Sequence, residues 1–183
     1  VIFSILTFII LINAFNLIDG IDGLAGSYTV VTSTLFGVSF YRLGENNAPL
    51  VILCGILIAA SIAFLIYNLS NKRSSKIFMG DTGSMILGFL LAFTGISFID
   101  IFIAKRHEVF YHLQSAPVIA VAILILPIID TLTVIVTRIY HGKSVLSADR
   151  NHIHHKVINL ALSHPRSTAN IIAYHHFIIT VPY

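Results

Sequence analysis

Long apolar runs separated by short polar segments set the pattern of this chain. Four runs, 24–41, 48–67, 84–103 and 116–139, are each long enough to cross a bilayer as a helix, which takes about 20 predominantly apolar residues. Residues 1–12 read as the tail of a further span, and 168–183 as a partial one interrupted by His175 and His176. The intervening segments, 13–23, 42–47, 68–83, 104–115 and 140–167, carry the polar residues and the turn chemistry, such as Gly44-Glu45-Asn46-Asn47 before Pro49 and Ser115 before Ala116-Pro117. The pattern predicts an all-α polytopic membrane protein: one multi-helix transmembrane domain over 1–183, with no soluble domain, linker or internal repeat.

Composition agrees. Of 183 residues, 56% are hydrophobic and only 10% are charged, too few to cover the surface of a water-soluble chain. The single cysteine, Cys54, excludes a disulfide framework and a cysteine-built metal site. A net charge of +3, without interleaved aromatic and basic residues, gives no case for nucleic-acid binding. Topology accounts for the charge better. Counting crossings puts 13–23, 68–83 and 140–167 on one face; that face, with Arg138, carries 8 of the 11 Lys and Arg residues. The positive-inside rule makes it cytoplasmic. Val1 opens inside an apolar run without an initiator Met, so further elements are expected upstream.

Nearly all the candidate chemistry lies on that face. In the first segment, Asn13, Asn16, Asp19 and Asp22 recur at intervals of three. On a helix Asp19 and Asp22 would be neighbours; alternatively, the glycines break the helix where it lines a wet cavity. Carboxylate and amide oxygens are hard ligands suited to Mg²⁺. The plainer reading is a helix end capped by Asn and Asp, with Gly20, Gly23 and Gly26 allowing close packing. In the second segment, Phe78-Met79-Gly80-Asp81-Thr82-Gly83-Ser84 precedes a span. Its Asp81, Thr82 and Ser84 suit a helix N-cap, and Asp81 also suits a cation site beside helix amides that face phosphate.

The third segment packs Arg150, His152, His154, His155 and Lys156 together. Without cysteine, and without the His-x₃-His spacing of a helical zinc site, an anion site fits better than zinc. Contact with anionic lipid heads is the other reading. Asp130 lies inside the last full span, where an acid is a functional candidate by default, facing the same cavity or neutralised by an internal partner.

Together Asn16-Leu17-Ile18-Asp19-Gly20-Ile21-Asp22-Gly23-Leu24, the Phe78–Ser84 motif and Asp149-Arg150-Asn151-His152-Ile153-His154-His155 resemble the polyprenyl-phosphate N-acetylhexosamine-1-phosphate transferases. The His-Ile-His-His form is similar to the branch that uses undecaprenyl phosphate and N-acetylglucosamine. The resemblance implies transfer of a sugar phosphate from a UDP-N-acetylhexosamine to a polyprenyl phosphate, with release of UMP. That reaction starts cell-envelope polysaccharide synthesis, such as that of lipopolysaccharide, at the cytoplasmic side of the bacterial inner membrane. It implies Mg²⁺, with Mn²⁺ as the alternative ion, at the catalytic residues Asp19, Asp22 and Asp81. Substrate contacts are implied at Asn16, Arg150, His152, His154 and His155; the sequence reading adds Asp130, and a homodimer is compatible with it. The family's earlier Asp-Asp motif has no match here, so this chain is not expected to act alone. A transporter, or an inactive relic that only binds lipid phosphate, are the competing readings; a transporter would thread polar residues through several spans.

Overall fold

A computed structural model describes residues 2–70, 72, 74–104 and 116–140. Among these the fold is all-α: α1 (Ile2–Ile18), α2 (Leu24–Arg42), α3 (Ala48–Asn68), α4 (Gly80–Ala104), α5 (Ala116–Ile123) and α6 (Ile125–Tyr140), with a 3₁₀ turn at Glu45–Asn47. α1 packs against α4 and α6, and α2 lies between α3 and α4.

Two helices, α3 at 21 residues and α4 at 25, are long and apolar enough to cross a membrane. At 1.5 Å per residue each covers the roughly 30 Å hydrocarbon core. Ile52, Ile56, Ile62 and Ile66 leave a bare apolar face on α3, as a lipid-facing helix requires. The stretch 24–41 is helical as expected but differs in character. Thr29, Thr32 and Ser33 are fully buried, and the Thr29 and Thr32 hydroxyls donate to the carbonyls of Ala25 and Tyr28 at 2.8 and 2.9 Å. Hydroxyls lower the hydropathy of α2 and suit it to the middle of a bundle, where small polar residues pack and bond locally.

Helix contacts are close where side chains are small. Ser84, Gly88, Ala92 and Gly95 form a buried stripe on α4. A Cβ at Gly88 would lie 2.6 Å from the Leu11 carbonyl oxygen and 2.9 Å from Ile12 Cα. The backbones of α1 and α4 therefore touch at this point, as small-residue helix pairs do in lipid.

Two boundaries differ from the sequence reading. The first helix does not stop at residue 12 but continues through Asn13 and Asn16 to Ile18, so the irregular junction is only 19–23. The stretch 116–139, read as one continuous crossing, is broken at Leu124, and its halves meet at 67°. Pro127 explains the break. It has no amide to give the Ile123 carbonyl four residues back, and its ring crowds that carbonyl. The freed Ile123 oxygen instead accepts the Tyr28 hydroxyl of α2 at 2.6 Å, which locks the broken segment onto the bundle.

Candidate functional site

The site is built from two turns that hang from packed helices. α1 ends as the Asp19 amide donates to the Phe15 carbonyl at 3.3 Å. Ile21 then plugs into the core, only 1% exposed, which leaves Asp19 and Asp22 on either side at partial exposure. Gly23 closes the turn at φ +79°, the left-handed region that a side chain rarely adopts. Of the two sequence alternatives, the glycine break is the one realised, and Asp19 and Asp22 lie outside regular helix.

The second turn starts α4. Gly80 takes φ +70°, Asp81 follows on an exposed first turn, and the buried Ser84 hydroxyl donates back to the Gly80 and Asp81 carbonyls at 3.1 and 3.0 Å. The Gly80 amide lies near enough to the Asp19 carboxylate to favour its charged form. The acid that ends α1 thus faces the start of α4, about sixty residues away in sequence. The contact joins the two motifs.

Charge gathers here. Burial, then the neighbouring carboxylates of Asp81 and Asp22, push the Asp19 carboxyl up to about 6, against the opposing pull of the Gly80 amide. Two carboxylates gathered close to a third are electrostatically suited to a hard cation or a cationic side chain. Lys76 brings such a side chain to Asp22: its ammonium donates to Oδ2 at 2.5 Å and lies 5.6 Å from the Phe78 ring centroid.

Asn68, the last residue of α3 and only 4% exposed, ties the turns together. Its Oδ1 accepts the Gly23 amide at 2.6 Å, and its Nδ2 donates to the Ile77 carbonyl at 2.9 Å. Sequence reasoning missed both Asn68 and Lys76. Asn68 is a lone amide at the end of an apolar run, and Lys76 was counted only as a topology charge.

Asn16 stands on the last turn of α1, half-buried and three residues before Asp19. Asp130 is buried on α6, 2% exposed. Arg150, His152, His154 and His155 lie outside the described residues, as does the partial span 168–183.

As a donor set for Mg²⁺ the residues fit in chemistry: oxygen-only ligands whose mutual repulsion a dication would relieve. Among the described residues no three His, Cys, Asp or Glu side chains stand close enough to enclose an ion, and Asp22 is engaged by Lys76.

Known proteins resemble the chain in sequence. The chain is 34% identical over 148 residues to the undecaprenyl-phosphate alpha-N-acetylglucosaminyl 1-phosphate transferase of Escherichia coli strain K12, covering 80% of this chain and 37% of that protein. It is 34% identical over 166 residues to the decaprenyl-phosphate N-acetylglucosaminephosphotransferase of Mycolicibacterium smegmatis, covering 86% of this chain and 40% of that protein. The protein of the same name from Mycobacterium leprae is 33% identical over 165 residues, at 85% and 40% coverage. The chain thus spans 37–40% of the length of these relatives. Residues 1–99, which include Asp19, Asp22 and Asp81, match the model of glycosyl transferase family 4. With more than half of its 183 residues inside that match, and with apolar helices of membrane-crossing length, the chain belongs to glycosyl transferase family 4 as a multi-pass membrane protein.

Proposed function

We propose that the protein carrying this chain transfers N-acetylhexosamine 1-phosphate from a UDP-sugar to a polyprenyl phosphate and releases UMP. An oxygen of the lipid phosphate attacks the sugar-bound β-phosphorus, the bond from that phosphorus to the bridging oxygen breaks, and the bridging oxygen leaves with UMP. Phosphoryl transfer of this kind asks for alignment and charge neutralisation rather than covalent chemistry by the protein. The observation that carries the reading is the joining of two turns from distant parts of the sequence, with the Asp19 carboxylate within electrostatic reach of Asp22, Asp81 and the Gly80 amide.

In this reading Asp19, Asp22 and Asp81 hold Mg²⁺, or Mn²⁺ in its place, and Asn16 lies at the edge of the donor pocket. A bound dication supplies neutralisation of the diphosphate charge. The chain's own part is to orient it. Asn68 fixes the backbone on both sides of the pocket, and the α1–α4 contact sets the separation of Asp19 from Asp81. Arg150, His152, His154 and His155 are assigned to the nucleotide-sugar by the resemblance of their motif, where a guanidinium fork and imidazole donors suit phosphate oxygens. The placement is at the cytoplasmic face of a bacterial inner membrane, which lets a water-soluble donor meet an acceptor in the bilayer. A screen of UDP-sugars for UMP release by the complete protein, with undecaprenyl phosphate as acceptor, tests the proposal. UMP release dependent on both substrates is the expected result, and release that ignores the lipid contradicts it.

A further inference from the structure

Lys76 is held against Asp22 by more than its own charge. Both side chains are largely covered, at 27% and 18% exposure. Asn68 grips the residue after each partner, Gly23 next to Asp22 and Ile77 next to Lys76, so the backbone frame brings the pair together. An exposed, loosely held ion pair contributes little; one whose backbone is already fixed loses less entropy on forming. The pair also sits beside Asp19, which feels the charges of both Asp22 and Asp81, and the ammonium places a positive charge on the Asp22 carboxylate. The aromatic face of Phe78, 5.6 Å from Nζ, offers the ammonium a second seat on the same loop.

We propose that Lys76 is an internal counter-ion that competes with a divalent cation for Asp22 and leaves that carboxylate when the cation binds. The inference rests on the reading of Asp19, Asp22 and Asp81 as the cation-binding acids. It explains why three acids with suitable chemistry do not close into a ligand set: one of them is turned to Lys76. Lys76 is therefore a positioning residue, which acts through Asp22 and sets how much cation is needed to assemble the site.

The test is Mn²⁺ binding to the complete protein in detergent, without nucleotide or lipid, followed by the electron paramagnetic resonance signal of the free ion. Lys76→Met is expected to bind Mn²⁺ roughly two- to fivefold more tightly than the parent protein, as removal of a largely covered competing charge predicts. Lys76→Arg should bind as the parent does, and adding Asp22→Asn to Lys76→Met should erase the gain. Thermal unfolding of each variant confirms that folded protein is compared. Unchanged or weaker binding in Lys76→Met overturns the proposal, as does absence of Mn²⁺ binding in both proteins. UMP release from the same preparations keeps the two readings apart. Turnover by the parent with unchanged Mn²⁺ affinity in Lys76→Met sinks the counter-ion role alone, whereas a gain in affinity without turnover sinks the transferase reading alone.

Discussion

Substitution of Gly88 by alanine probes the link between packing and the site. The added Cβ would lie 2.6 Å from the Leu11 carbonyl oxygen, 2.9 Å from Ile12 Cα and 3.0 Å from Phe15 Cβ. Two of these are backbone atoms of α1, so no side-chain rotation relieves the clash. Relative to ordinary contact the shortfall is roughly 0.8 Å, and in a close-packed interior α1 must move from α4 by about that amount. Overpacking of this size costs about 1–3 kcal/mol. The functional effect should be larger. Phe15 is four residues before Asp19, and Gly88 stands about 10 Å along α4 from Asp81, so the same shift widens the acidic cluster. A misplacement near 1 Å costs about a hundredfold in rate when alignment carries the catalysis. The assay is UMP release per folded molecule together with thermal unfolding in detergent. Gly55→Ala is the control, since a Cβ there meets nothing within 4 Å, and it should leave both measurements unchanged. Gly88→Ala with parental stability and turnover within about twofold would refute the argument that this contact sets the site's geometry.

Further outcomes follow from the same contacts. Tyr28→Phe removes the donor to the Ile123 carbonyl freed by Pro127 and should lower thermal stability by about 1–3 kcal/mol; with Pro127→Ala, which restores the helical donor, the double variant should lose less than the single changes sum to. Asn68→Ala leaves the Gly23 amide and the Ile77 carbonyl without their shared partner, so it should cost about 2–3 kcal/mol and speed proteolysis of the segment following α3, read by limited digestion. Asp19 gives a pH signature. Its folded carboxyl titrates near 6, above the ordinary value of about 3.9, so the folded state binds this proton more tightly than the unfolded chain. Its contribution to stability is fully present below about pH 4 and is lost as pH rises through 6, a slope that Asp19→Asn should flatten in unfolding scans without divalent ion.

Much of the fold could be read along the chain because lipid imposes a simple rule: apolar runs of sufficient length become helices whose backbone groups bond internally. α3 and α4 follow from that rule alone. The break before Pro127 was legible in principle, since proline removes a helical donor, but the fate of the Ile123 carbonyl depended on Tyr28, 95 residues away. At the site, the carboxylates of Asp19, Asp22 and Asp81 stood out because acids beside apolar spans are costly without a role. That Asp22 and Asp81 both come within reach of Asp19 was suggested by their shared face and by the resemblance, while the geometry depended on the packing of α1 against α4. Asn68 and Lys76 escaped notice because each acts through a partner distant in sequence, and neither belongs to a recurring local pattern. The extent of α1 was misread for a related reason: Asn13 looks like a helix end, yet its side-chain amide donates to the Ile9 carbonyl of its own helix at 2.7 Å and lets the helix continue.

The central claim is that the three aspartates serve one transfer of a sugar phosphate to lipid. Its most direct measurement uses UDP-N-acetylglucosamine radiolabelled at the β-phosphate, undecaprenyl phosphate and the complete protein in detergent. Label is expected to pass into the lipid fraction with one UMP released per label transferred, and Asp81→Asn should slow both by roughly a hundredfold or more. Label that never reaches the lipid, or an Asp81→Asn protein that transfers it at the parental rate, would contradict the account.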